Sequence, residues 1–286
     1  MRVISNAVVR RAAVGVRALL LALVLAGCAA APVPGTPGPT GAAPAAALAG
    51  GPVTVIALGD SLTAGDGDDA GKGFVGRLTE AIAARPGRQG STLTNLGQSG
   101  WDSTMMVNGY DGGPQAQLPQ AVAAARAAAP GAVLATVLIG SNDLWYVYQN
   151  GAVEPTPRAE EDAMVAAYRA NLERTLTELQ AAGAVVVVGL PDDQSARPIA
   201  GDMGRLNQQL SAVTAEEVGK MSTLAGVLDR TAAEVAAAHG APTVDTNDPF
   251  WADPARMAED GIHPNAAGYT ALAELWTGGV APLLGA

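Results

Sequence analysis

Ser61 stands in the run Gly59-Asp60-Ser61-Leu62, and the 286-residue chain holds two histidines, His239 and His263, that could activate it. A serine hydroxyl is a poor nucleophile until a positioned base removes its proton. His239 closes a long helical stretch and is followed by Gly240. A histidine there suits the helix dipole and the glycine is a natural stop, which reads as a structural role. His263 lies in Asp260-Gly261-Ile262-His263-Pro264, where the proline biases it towards an extended backbone just before a final helix. It can therefore project from a loop into a cleft. Asp260, three residues earlier, can accept from the other ring nitrogen, fix the tautomer and stabilise the imidazolium formed during attack. The chemistry on offer is acyl transfer, which also needs donors aimed at the oxyanion. Two segments supply candidates, Asn95-Leu96-Gly97-Gln98-Ser99-Gly100 and Gly140-Ser141-Asn142-Asp143. A glycine N–H can approach a substrate closely, and an asparagine amide donates without charge. Each residue taken singly also has an ordinary use: Asp60 or Ser61 as a helix cap, Gly97 as a turn, Asn142 or Asp143 as a cap.

Other chemistries find less support. There is no G-x-G-x-x-G, and Gly71-Lys72-Gly73 lacks the Ser or Thr of a phosphate-binding loop. Asp66, Asp68 and Asp69 do not form an EF-hand loop, since the twelfth position from Asp66 is Arg77, and a solvated loop is expected instead. Cys28 is the sole cysteine, so neither an intramolecular disulfide nor a cysteine metal site can form. No metal and no organic cofactor is implied.

The elements that must position these residues follow from the hydrophobic pattern. Strand-like runs at 53–58, 92–96, 133–139, 185–190 and 243–245 alternate with helical stretches at 74–84, 116–129, 158–182, 205–238 and 266–284. Strict alternation predicts right-handed βαβ units and one α/β domain: a three-layer α/β/α sandwich on a five-stranded parallel sheet. In such sheets ligands bind beyond the carboxyl ends of the strands, which is where Ser61, Gly97 and Asn142 fall.

Taken in order, these segments resemble four sequence blocks of the SGNH (GDSL-type) hydrolase family. Block one matches as Gly59-Asp60-Ser61-Leu62, block two centres on Gly97, block three reads Gly140-Ser141-Asn142-Asp143, and block five reads Asp260-Gly261-Ile262-His263-Pro264. The resemblance runs from about Val53 to the C-terminus. It implies a flavodoxin-like SGNH hydrolase fold and a serine esterase with Ser61 as nucleophile, His263 as base and then acid, and Asp260 as orienting carboxylate. It also implies an oxyanion hole of the Ser61 and Gly97 N–H groups with the Asn142 amide. Acyl transfer would use the same residues, and a non-catalytic ligand-binding lipoprotein stands as the alternative of a different class. Long loops at 100–114, 144–157 and 191–202 bring aromatic residues, and Trp251 lies just upstream of the Asp-His segment; Trp101, Trp145, Tyr146 and Trp251 are expected to line the pocket. The substrate class is a small-molecule or glycan ester.

Residues 1–27 carry Arg2, Arg10, Arg11 and Arg17 without an acid, then an apolar run from Ala18 to Ala26. That is the layout of a signal peptide, and the run is far short of the roughly 20 residues a spanning helix needs. Leu25-Ala26-Gly27-Cys28 looks like a bacterial lipobox, which implies cleavage before Cys28 and its acylation. Residues 28–50 then form a Pro/Ala/Gly-rich linker and 51–286 the hydrolase domain. Export, and a lipid anchor on the outer side of the cell membrane, or in the periplasm or outer membrane of a two-membrane envelope, are expected. Without residues 1–27 the chain keeps 13 of its 17 basic residues against 27 acidic ones. The resulting charge of about −14 argues against nucleic acid as a partner, and leaves the lipid anchor as the one attachment to membrane.

Overall fold

The computed structural model describes residue 48 and residues 50–285, apart from 111, 150, 152–154, 210 and 211. The signal segment, Cys28 and the linker as far as residue 47 lie outside the described residues. Five strands form one parallel sheet in the order β2-β1-β3-β4-β5: β1 Val53–Gly59, β2 Thr92–Asn95, β3 Ala132–Leu138, β4 Val185–Leu190 and β5 Thr243–Asp245. The helices are α1 Ser61–Ala64, α2 Gly73–Ala83, α3 Ser103–Asn108, α4 Gln117–Ala128, α5 Ser141–Tyr148, α6 Arg158–Ala181, α7 Met203–Gln209, α8 Ala215–Ala238 and α9 Ala266–Val280. This is the expected three-layer sandwich.

The strands β1, β3 and β4 are apolar on both faces because both are covered. Along β1, Ile56 and Leu58 enter the core shared with α4, α6 and α8, while Val53, Val55 and Ala57 enter the core shared with α2 and α9. Along β3 the alternation repeats, with Val133, Ala135 and Val137 on the first side and Leu134 and Leu138 on the second. Each such Leu, Ile or Val contributes about 1.5–3 kcal/mol over an exposed one. The chain passes from β1 outward to β2, then back across β1 to β3. Right-handed crossovers running in opposite directions place their helices on opposite faces, which parts the chain between β1 and β3 at their carboxyl ends. Ser61 follows β1 and Asn142 follows β3, so both stand at this crevice.

Three expectations need correction. The stretch 205–238 is two helices, because Thr214 caps α8: its Oγ accepts from Glu217 N–H and the Glu217 carboxylate accepts from Thr214 N–H, both at 3.2 Å. Two of the long loops contain helices, α3 and α5; α3 is started by Asp102, whose carboxylate accepts from Met105 N–H at 2.8 Å. The last helix is α-helical only to Val280 and finishes as a 3₁₀ turn, Ala281–Leu284. Among the described residues no helix is long and apolar enough to cross a membrane.

Candidate active site

β1 ends at Gly59, whose N–H donates to Gln117 Oε1 at 2.8 Å and whose carbonyl accepts from Gln117 Nε2 at 2.7 Å. A buried side-chain amide thus pairs with the last residue of the strand as a neighbouring strand would. Gln117 carried no sequence signal, since one polar residue at the start of an amphipathic helix looks like a surface position. Asp60 then caps α1, its Oδ1 accepting from Leu62 N–H at 2.9 Å, and Ser61 is the first helical residue. The Ser61 N–H is a free first-turn donor, with no protein acceptor among the described residues.

His263 Nε2 lies 2.9 Å from Ser61 Oγ, and His263 Nδ1 lies 2.7 Å from Asp260 Oδ2. The tautomer that satisfies both contacts carries its proton on Nδ1, so that Nε2 accepts from the serine. Asp260 Oδ1 accepts from Ile262 N–H at 2.8 Å and from His263 N–H at 2.9 Å. Burial would raise the Asp260 pKa, but the hydrogen bonds from the His263 ring and these backbone groups outweigh it and hold the carboxyl at about 2. It stays ionised at any pH well above that value. The turn is closed by Ala258 N–H donating to His263 O at 2.8 Å, and Asn265 caps α9 immediately after it.

Two carboxyls near the site are pushed the other way. Asp60 is fully buried, and desolvation raises it to about 6 against the Leu62 N–H and the charge of Arg197. Its Oδ2 has no partner among the described residues. Asp143 is raised to about 7 by burial, although Ser103 donates to it from both its N–H, at 2.9 Å, and its hydroxyl, at 2.6 Å.

The expected oxyanion donors are not all free. Gly97 packs against α1 so closely that a Cβ there would lie 2.4 Å from Ala64 N and 2.7 Å from the Thr63 carbonyl carbon. Its N–H, however, donates to Asn95 Oδ1 at 3.0 Å, while Asn95 Nδ2 donates to Thr63 O at 2.8 Å. Asn142, the second residue of α5, uses one amide proton on Trp101 O at 2.9 Å, leaving the other.

The pocket residues need correction. Trp101, Trp145 and Trp251 are 2 to 3% exposed and belong to the core. Trp251 donates to Thr246 O and lies beneath the Arg197 guanidinium rather than facing a substrate. Only Tyr146 is partly exposed, its hydroxyl donating to Gly100 O. Asp68 also departs from the solvated loop expected for its cluster: it is buried, paired with Arg77, and accepts from the Ala70, Lys72 and Gly73 N–H groups. His239 caps the end of α8, as its glycine neighbour suggested.

The sequence pattern of the GDSL-like lipase/acylhydrolase family matches residues 57–271, which spans every block described above. The chain belongs to this family. Membership makes it a carboxylic ester hydrolase. No curated protein matches this hydrolase in sequence. Among solved structures, an acetylxylan esterase from Geobacillus stearothermophilus is similar at 17% identity and a TM-score of 0.53, over 82% of this chain and 96% of that one. A lipase/acylhydrolase from Enterococcus faecalis is similar at 21% identity and 0.49, over 79% and 94%. An extracellular lipase from Streptomyces rimosus is similar at 18% and 0.48, over 79% and 99%. At 17% identity the likeness to the acetylxylan esterase speaks for the fold alone.

Proposed function

We propose that this hydrolase is a serine esterase working through an acyl-enzyme on Ser61. The observation that carries the reading is the unbroken chain from Ser61 Oγ through the His263 ring to the Asp260 carboxylate, at 2.9 and 2.7 Å. As the Ser61 oxygen attacks the ester carbonyl, His263 Nε2 takes its proton, and the ionised Asp260 stabilises the imidazolium. The imidazolium then protonates the departing alkoxide, releasing the alcohol. Water, deprotonated by the same nitrogen, cleaves the acyl-enzyme and returns the proton to Ser61. The tetrahedral oxyanion would be met by the Ser61 N–H and the spare amide proton of Asn142. The Gly97 N–H would join them by turning from Asn95, an acceptor the oxyanion outcompetes by its full charge.

The substrate we assign is a small-molecule or glycan ester reached outside the cell, with the enzyme held to the membrane by lipid on Cys28. The signal layout and the acidic balance of the chain support this, and the esterase activity named for the Geobacillus stearothermophilus structure is in keeping with it. The test is hydrolysis of p-nitrophenyl acetate and butyrate by wild type, Ser61→Ala and His263→Ala, with fluorophosphonate labelling alongside. Loss of both turnover and label in Ser61→Ala, and of turnover in His263→Ala, is expected. Wild-type turnover surviving in Ser61→Ala would end the acyl-enzyme reading. Mass spectrometry of the membrane-bound protein, showing a mature chain that starts at an acylated Cys28, checks the anchor.

A further inference from the structure

The segment after β4 runs from Pro191 through two 3₁₀ turns, Gln194–Ala196 and Pro198–Gly201, into α7, and it grips the turn that carries His263. Ile199 N–H donates to Gly261 O at 3.1 Å, and Arg197 Nη1 donates to Ile262 O at 3.1 Å. Arg205, from α7, donates to Glu259 O. The opposite sides of the same peptides are held by Asp260, whose Oδ1 accepts from the Ile262 and His263 N–H groups. Two consecutive peptide planes are therefore pinned at both ends: Gly261–Ile262 between Ile199 and Asp260, and Ile262–His263 between Arg197 and Asp260. Because a peptide plane is rigid, pinning its carbonyl and its N–H fixes the direction in which the His263 side chain leaves the backbone.

Of these contacts only that of Arg197 comes from a buried charge, at 3% exposure. Its Nε and Nη2 fork onto Asp192 Oδ2 at 2.9 Å and Oδ1 at 2.8 Å, and its guanidinium carbon lies 4.6 Å from the centroid of the Trp251 ring. Buried ion pairs are weak sources of stability and can often be replaced by apolar side chains without loss. What this pair supplies is direction: a planar guanidinium fixed on one edge by a carboxylate and on one face by an indole presents its remaining nitrogen along a set line. Resting on the reading of His263 as the base, we infer that Arg197 is a positioning residue of the esterase, acting through the Ile262 carbonyl to hold the His263 ring at its working distance from Ser61. Arg197 touches neither the nucleophile nor the base. The same cation is felt at Asp60, beside the nucleophile, where burial pushes the carboxyl up and Arg197 draws it back.

The experiment uses the full-length protein as wild type, Arg197→Lys, Arg197→Met and Asp192→Asn. It reads kcat and KM on p-nitrophenyl butyrate, the rate of fluorophosphonate labelling, and the low-field proton resonance of the His263 Nδ1–H. Since a displacement of about 1 Å can cost on the order of 100-fold, Arg197→Met is expected to lose roughly 10- to 100-fold in kcat. KM should stay within about twofold, because substrate contacts are untouched. The low-field resonance should shift or broaden, labelling should slow in the same ratio as kcat, and Arg197→Lys should fall between. Asp192→Asn keeps the shape of the fork, weakens it, and should show a smaller loss of the same kind; it decides the matter if an Arg197 variant does not unfold cooperatively. Folded variants with wild-type kcat and an unchanged resonance would overturn the inference, as would a change confined to KM. A wild type that neither hydrolyses the ester nor takes the label overturns the reading of the base itself, an outcome distinct from an active wild type indifferent to Arg197.

Discussion

Asp143 carries a carboxyl that folding has made hard to ionise, and the sign of its effect on stability follows from that. Burial raises it from 3.8 to about 7, with the two bonds from Ser103 pulling the other way. Between these values the folded protein keeps a proton that the unfolded chain releases, so stability is fully present below about pH 4 and declines as the pH rises towards 7. At about 1.4 kcal/mol per pH unit the decline amounts to roughly 4 kcal/mol. An asparagine has no proton to lose and can still meet the Ser103 N–H with its oxygen. Asp143→Asn is therefore expected to be more stable than wild type at pH 8 and no more stable at pH 4, as read by urea unfolding at both. Equal differences at the two pH values would show that the carboxyl does not titrate in this range. Asp260 has the opposite sign: held at about 2, it contributes stability that is present above its ordinary range and lost only as the pH falls through that value.

At the scale of elements, the site depends on how tightly the loop after β2 seats on α1. The four residues of α1 are too few to hold a conformation alone, and its position comes from contact. Asn95 bridges Thr63 O and the Gly97 N–H, and Gly97 fills the remaining gap. A methyl group at Gly97 would meet backbone atoms of Thr63 and Ala64 rather than a movable side chain, so α1 itself must shift and carry Ser61 with it. Gly97→Ala is expected to destabilise by about 1–3 kcal/mol, the usual range for overpacking. It should also cost on the order of 100-fold in kcat/KM through misplacement of Ser61, the nucleophile of the proposed mechanism. Ester hydrolysis and thermal unfolding measured on one preparation check both, and wild-type turnover in the variant would show that α1 is not held this way.

Across the whole molecule the parallel sheet separates two ends. Ser61, Gly97 and Asn142 stand beyond the carboxyl ends of the strands, while Arg88, just before β2, works at the amino ends. Buried there, it donates to Gly51 O at 3.0 Å, Leu48 O at 3.3 Å and Leu284 O at 2.6 Å, tying the approach to β1 to the end of the chain. Arg88→Ala would leave these carbonyls without that donor at a cost of roughly 2–5 kcal/mol, since each such bond to a charged group is worth about 1.5–3 kcal/mol and part is recovered by water. The melting temperature is expected to fall while kcat and KM keep their wild-type values. A matching fall in kcat at a temperature where the variant is folded would show the two ends to be coupled.

From residues alone the alternation of strands and helices, the sheet's parallel sense and the order of the Ser61, Gly97, Asn142 and Asp260–His263 segments can be read. Period and composition are local properties, and a turn of Asp-x-x-His places its own two partners within reach. Tertiary structure alone decided the rest. That His263 Nε2 meets a serine 202 residues away depends on the whole sheet, as does the pairing of Gln117 with Gly59 and of Arg197 with Ile262 O. The pocket aromatics failed for the same reason: a tryptophan in a long loop has the same local signature whether it lines a cleft or packs beneath it. Trp101, Trp145 and Trp251 were drawn inward because burying their large apolar area is worth more than leaving it at the crevice. The state of the Gly97 N–H was equally hidden, since an asparagine two residues away can reach or miss it according to a backbone bend that contact with α1 imposes.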